Sequence, residues 1–349
     1  DSPSNTVVAQ STATTTNPAP ASQGAAPAPA PAPPAAAPTP APPAASSGAK
    51  PWRPFSDNSP WNTPIADSPE LEANSAQLVS AFIQSTPFGP HLDINIAGYS
   101  IPLYWANAST PAQPVRAAVG GDGWNGFPAT ASMPIPSGAA PDPQSDAHMV
   151  VINAERTQEW GCFDMRYNAS ANPPWQASLC ATSDLTGSGV RTPEPLANPW
   201  YAAHGSRACG FPLSAGLIRV EEIQAGRIDH ALVIAYPGIL PGKFTPPAST
   251  ASGIGNAING VGVPCGGRFQ LDPSIDVSKL GLSRGGEIVA RALQQYGAYV
   301  GDFSGALSVY AENAPEARAY WATGALGTYD LMDKIDLNKL RVIKHGKMY

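Results

Sequence analysis

Apolar and polar residues alternate over short stretches from about residue 90 to 280, and a helical period shows in only a few places. HLDINIAGYSIPLYWA, residues 91–106, alternates along its length with a Gly-Tyr turn inside it. HMVVIN and QEWGCFDMRY are separated by AERT, which predicts a hairpin. GLIRVEEI, DHALVIAYP and GRFQLD read as further strands. Late in the chain, AYVGD and ALSVYAE read as a last hairpin around Phe303, Ser304 and Gly305. YDLMDKIDLNKLRVIKHG follows as a short helix and a closing strand.

Two segments carry clear helix signals. Ser68 suits an N-cap, Pro69 the first helical position, and Glu70 and Glu72 the positive end of the dipole. Leu71, Leu78, Val79 and Phe82 supply the buried stripe of that helix. A second helix runs through EIVARALQQYG from Glu287, with Gly297 as the residue that ends it. Many short strands without regular strand–helix alternation predict a mainly β fold, an antiparallel β-sandwich or jelly roll with two or three short helices. Long loops rich in Pro, Gly, Ser and Asn join the strands, and such loops often carry function.

Composition changes the picture at the N-terminus. The 349 residues include 40 Pro and 33 Gly, and only 13% are charged. Much of that proline lies in residues 1–50, where repeated Ala-Pro predicts a disordered, semi-stiff linker. Residues 51–349 read as a single domain, its start pinned by Trp52, Phe55 and Trp61. The net charge of −6 and scattered basic residues exclude a general phosphate-backbone binder, so no nucleic-acid partner is expected. No apolar run is long enough to span a membrane. The chain opens on Asp1 rather than Met, which reads as a mature form whose signal has been removed.

Cys162, Cys180, Cys209 and Cys265 form no C-x-x-C pair, so a structural zinc site is not expected. Two disulfides in an oxidising compartment fit better. Three pairings exist, of which Cys162–Cys180 with Cys209–Cys265 is favoured because the first closes a short loop. No dinucleotide fingerprint, P-loop, H-E-x-x-H or G-x-S-x-G motif occurs, and no cofactor is expected.

The chemistry-bearing residues gather at strand ends. In DHALVIAY, His230, Leu232, Ile234 and Tyr236 share one face, a candidate groove floor. The competing reading is a core histidine bonded to a backbone carbonyl. In SDAHMVVIN, Asp146 and His148 stand on one side, two residues apart, as an acid/base pair or metal ligands. A neighbouring strand could bring them beside His230. Glu159 next to Trp160 suits a sugar subsite, where a ring stacks and a carboxylate binds hydroxyls. Asp302 and Glu312 end apolar runs and are further candidate carboxylates. Trp124, Trp175 and Trp200 sit in Pro/Gly/Asn-rich loops and suggest carbohydrate stacking; they could equally cover the ends of the sandwich. Ser206 near His204 lacks an elbow motif and gives serine catalysis little support.

At SPWNTPI, SDAHMVVIN, GLIRVEEIQAGRIDHAL, GGRFQLD and ALQQYGAYVGDFSG the chain resembles a group of secreted bacterial single-domain, β-rich proteins. The shared features are a G-R-I-x-H-A-L strand and an A-L-x-x-Y-G helix–strand unit. The resemblance covers most of residues 55–345, implies one domain, and adds weight to His230, Tyr296 and Asp302.

The expected function is a secreted, extracellular or periplasmic enzyme that cleaves a polysaccharide. Hydrolysis would use two of Asp146, Glu159, Asp302 and Glu312. A lyase would use His230 or His148 with a tyrosine, and Arg227 or Arg219 to neutralise a uronate. Trp160, Trp124, Tyr236, Arg227 and Tyr296 are the expected substrate contacts. The rival is a non-catalytic carbohydrate- or cell-wall-binding domain on an Ala-Pro stalk. A metal enzyme using His148 and His230 is the weakest of the three readings.

Overall fold

The computed structural model describes residues 50–119, 127, 130–191 and 205–349. The Ala-Pro stretch up to residue 49, together with Trp124, Trp200 and His204, lies outside them.

The run Met149–Ile152 shows how the layers form. All four residues are buried, with Val150 and Ile152 in one core and Met149 and Val151 in another. Only a strand covered on both faces accepts an unbroken apolar run. The larger core holds Val150 and Ile152 together with Leu232, Val300 and Val309. These last three come from a different sheet, so the two sheets share that core. The smaller core lies on the other face of the second sheet, around Val115, Met133 and Trp175.

Strands are numbered in chain order. The first sheet runs β1 (Asp93–Asn95), β12 (Ser308–Tyr310), β9 (Leu232–Ala235), β11 (Ala298–Asp302), β10 (Arg268–Leu271), β13 (Leu340–Ile343). The second runs β2 (Leu103–Trp105), β5 (Met149–Ile152), β6 (Gln158–Phe163), β8 (Trp175–Asp184), β3 (Ala112–Val119), β4 (Thr130–Pro134). The short β7 (Arg166–Tyr167) pairs with β8. The helices are α1 (Ser75–Gln84), α2 (Val220–Ala225), α3 (Arg284–Gln295) and α4 (Pro315–Tyr320). The protein is therefore mainly β, with two sheets and a few short helices.

Strand directions are mixed. β1–β12, β9–β11, β2–β5 and β3–β8 are parallel pairs, and the rest are antiparallel. Parallel neighbours need long crossovers, and the one from β9 to β11 passes through β10 and α3.

The β5–β6 hairpin forms as expected, with Met149 opposite Cys162 and Ile152 opposite Glu159. β9, β10 and α3 also fall where the sequence places them, and α3 ends at Gly297 in the left-handed region. Three expectations fail. AYVGD and ALSVYAE do not form a hairpin, because β9 lies between β11 and β12 and pairs with both. The apolar run of β9 needs a neighbour on each edge. GLIRVEEI is not a strand: Val220–Ala225 forms α2. The Glu222 carboxylate accepts from the Arg219 N–H, and Gly226 closes the helix at φ 80°. α1 begins at Ser75 rather than near Ser68. The intervening backbone instead pairs with the C-terminal strand, through Glu72 N–H to Val342 O and Lys344 N–H to Glu70 O.

Both favoured disulfides are formed, Cys162–Cys180 and Cys209–Cys265. The first joins directly opposed residues of β6 and β8. Disulfides of this kind belong to oxidising compartments. Among the described residues no helix is long and apolar enough to cross a membrane.

Candidate functional site

Two walls from different sheets enclose a cleft of about 360 Å³. On one side, the segment before β5 carries Asp146 and His148. It is locked by Asp142, whose buried carboxylate accepts from Tyr99 N–H (3.2 Å), Ser100 N–H (3.3 Å), Gln144 N–H (2.9 Å) and the Asn313 amide (2.8 Å). The backbone then turns at Ala147, φ 41°. Asp146 and His148 therefore reach the cleft through a turn, not through the pleat of a strand. Asp164 N–H to Asp146 O (2.7 Å) and Met165 N–H to Ala147 O (3.0 Å) hold the turn against the end of β6.

The opposite wall is the end of β11. Its register with β9 shifts between Val300 and Asp302, and a Cβ at Gly301 would collide with Val233. Such a bulge re-aims the residue that follows it, here Asp302. Beside it runs Ser206-Arg207-Ala208, tied down by the Cys209–Cys265 disulfide and by Cys209 N–H to Gly301 O, 3.2 Å. Ser206 donates to Gly161 O at 2.8 Å and is buried, so it offers no nucleophile. Its approach requires glycine at 161, where a Cβ would collide with the hydroxyl. Phe163 and Ile254, exposed by 37% and 61%, add apolar surface at the cleft.

The electrostatics follow from burial. Desolvation pushes the Asp302 carboxyl up to about 6, with Arg207 opposing and the Asp146 charge adding. Burial and the Asp142 charge push Asp146 up as well. Burial drives His148 down to about 3, and Arg207 acts in the same direction, so its ring is neutral at pH 7. Arg207 is 2% exposed. Its Nη1 lies 3.7 Å from Asp302 Oδ2 and its guanidinium 4.4 Å from the Tyr310 ring centre. Its hydrogen bond to Leu213 O is long at 3.4 Å, it also bonds the Tyr310 hydroxyl, and Nε and Nη1 have no hydrogen-bond partner. Burial, then the charge of Asp302, raises the Tyr310 phenol.

His230 stands elsewhere. β9 belongs to the first sheet and β5 to the second, so no shared sheet face joins His230 to Asp146 and His148. Its Nε2 meets Glu222 Oε1 at 2.8 Å and its Nδ1 meets Ala231 O at 2.9 Å. Glu222 also takes Arg219 Nη2 at 2.6 Å. Burial pushes Glu222 up, but Arg219 and His230 outweigh it and hold the carboxyl below its ordinary value.

The other candidates are placed apart from the cleft. Glu159 is buried, and its carboxylate accepts from Leu213 N–H (2.8 Å), Ser214 N–H (3.2 Å) and the Ser214 hydroxyl. Burial raises it against those bonds. Glu312 accepts from Val220 N–H at 2.7 Å, and burial pushes it up to about 7. The Tyr236 hydroxyl donates to Val263 O (2.8 Å) and accepts from Val263 N–H (2.7 Å) deep in the core. Arg227 is exposed and paired to Asp229 at 3.2 Å. Tyr296 is buried at the end of α3. Trp160 is half-buried against the smaller core. Among the described residues no three His, Cys, Asp or Glu side chains are arranged to hold a metal. With His148 and His230 in separate networks, the shared-metal reading falls.

Sequence reasoning missed Arg207. Its signal was present: an arginine two residues before a half-cystine, in a loop that the disulfide had to bring against another element.

No family model, curated protein or solved structure matches the chain. The resemblance to secreted β-rich proteins therefore rests on its motifs alone.

Proposed function

We propose that the chain is a secreted hydrolase that cleaves glycosidic bonds, with the Asp146–Asp302 cleft as its active site. One observation carries the reading. Two carboxylates from different sheets reach one cleft, each with its pKa raised, and Asp146 raises that of Asp302. Coupled carboxyls of this kind release their protons in separate steps, so one proton is held between them on the acid side of about pH 6, the condition for paired acid and base work. Asp302 donates its proton to the glycosidic oxygen as the C–O bond breaks. Ionised Asp146 takes a proton from water, whose oxygen bonds to the anomeric carbon; or it attacks that carbon itself, and water, deprotonated by Asp302, then cleaves the glycosyl ester and frees Asp146. Phe163 offers a ring face to a sugar.

A lyase fits less well. It needs a reachable cation beside a uronate, but Arg207 is buried behind Asp302, Arg219 is closed by its partners, and Arg227 lies outside the cleft. The binding-module reading called for exposed tryptophans. Among the described residues every tryptophan is buried or half-buried.

The test is a polysaccharide panel read for new reducing ends and for unsaturated-uronate absorbance together. Reducing ends without absorbance are expected, with Asp302→Asn lowering the rate about 10²–10⁴-fold. Full activity in Asp302→Asn, or absorbance on every cleaved substrate, overturns the reading.

A further inference from the structure

The charges around the cleft do not balance, and the imbalance points to the substrate. Asp142, Asp146 and Asp302 stand together, close enough for Asp142 to act on Asp146 and Asp146 on Asp302. The one cation lining the cleft is Arg207, whose side chain is wholly buried behind Asp302. Arg166 lies on the flank but is held by Asp164 at 2.5 Å. His148 is neutral, only 5% exposed, and its Nδ1 has no hydrogen-bond partner. Every Lys and Arg of the chain falls within the described residues, because the stretches outside them contain neither. No further Lys or Arg is left to reach the cleft from those stretches.

A cleft whose described lining holds two carboxylates and a single, buried arginine disfavours anionic sugars. Paired charges of opposite sign at contact distance favour binding, and like charges select against the wrong partner.

We infer that the cleft takes a glycan bearing a protonated free amine next to the bond it holds, with Asp146 as the partner of the ammonium. This rests on the hydrolase reading for the word glycan, but the amine site stands on the charge geometry.

The experiment compares binding of three tetramers to the whole protein near pH 7 by calorimetry: a glucosamine tetramer, its fully N-acetylated form and a galacturonate tetramer. The free-amine form is expected to bind about tenfold tighter than the N-acetylated one. The preference should shrink from about 20 mM to about 500 mM salt. Asp146→Asn, checked for folding by near-ultraviolet circular dichroism, should remove most of it. Equal binding of the amine and acetyl forms, tighter binding of galacturonate, or an amine preference that survives Asp146→Asn overturns the inference. Cleavage of neutral glycans with no charge preference sinks the amine site and leaves the hydrolase standing. Amine-selective binding without cleavage of any glycan leaves the amine site and sinks the hydrolase.

Discussion

The molecule buries two arginines, and they are treated in opposite ways. Arg219, 1% exposed, spends its guanidinium on Glu221, Glu222, the Leu217 carbonyl and the Trp52 carbonyl. His230 then closes Glu222 from the other side. Arg207, 2% exposed, leaves two of its three guanidinium nitrogens, Nε and Nη1, without a hydrogen-bond partner and pairs loosely with Asp302. A buried charge with every nitrogen bonded ties elements together, here α2 to the start of β9 and to the segment at Trp52. A buried charge left under-partnered behind a solvent-touched carboxylate is costly to the fold, and such groups gather where chemistry or binding is done. The contrast separates a structural charge network from a candidate site better than the presence of histidine does.

The sharpest way to break the comparison is Glu222→Gln. It strands Arg219 and His230 in the core, and removing one partner of a buried pair costs about 3–5 kcal/mol. Urea unfolding at pH 7 reads this directly. A loss under about 1 kcal/mol would mean the network is not the closed unit described.

Next in size is a pH effect from Glu312, which faces Arg219, Glu221 and Glu222. Its carboxyl is raised from 4.5 to about 7 in the folded chain. The unfolded chain therefore releases this proton first as pH rises. Stability from Glu312 is present below about pH 4.5 and lost by about pH 7, on the order of 3 kcal/mol. Glu222 has the opposite sign, and its contribution is lost as pH falls below its ordinary value. Glu312→Gln should flatten the decline between pH 5 and pH 8 in unfolding midpoints. An unchanged slope would place its cause elsewhere.

The smallest stability effect sharpens the other side. Arg207→Met removes a poorly partnered cation, and Asp302 can take up a proton in response. The expected cost at pH 5 is about 1.5 kcal/mol or less, the low end for a charged hydrogen bond. Asp302 loses the charge that opposes its burial, so the limb of the activity profile near pH 6 should move upward. A cost matching that of Glu222→Gln would erase the distinction between the two arginines.

Local patterns were a good guide wherever one segment carried its own explanation. The β5–β6 hairpin, the apolar run of β9 and the ending of α3 at Gly297 all follow from neighbours in the chain. Patterns misled where a distant strand competed. Residues near Ser68 carry good helix-start chemistry, yet the backbone at Glu70 and Glu72 pairs with β13. VEEI alternates like part of a strand, but Glu222 and Gly226 make it a capped helix. In the candidate site, Asp146, His148 and Asp302 were all visible as polar residues at the ends of apolar runs. His230 looked equivalent by the same signal, and the structure assigns it to the Arg219 network instead.

The sequence by itself determined the class of fold, the central strands and the short set of titratable residues, and it narrowed four cysteines to three pairings with one favoured. Those depend on periodicity, turn residues and a small number of cysteines, which act over short chain distances or few combinations. Only the tertiary structure decided which titratable residues meet. Asp146 and Asp302 are far apart in the chain and belong to different sheets, and a turn at Ala147 and a bulge at Gly301 aim them at one cleft. Whether a buried charge is closed or left open depends on the last few ångströms of packing, and no local pattern records that distance.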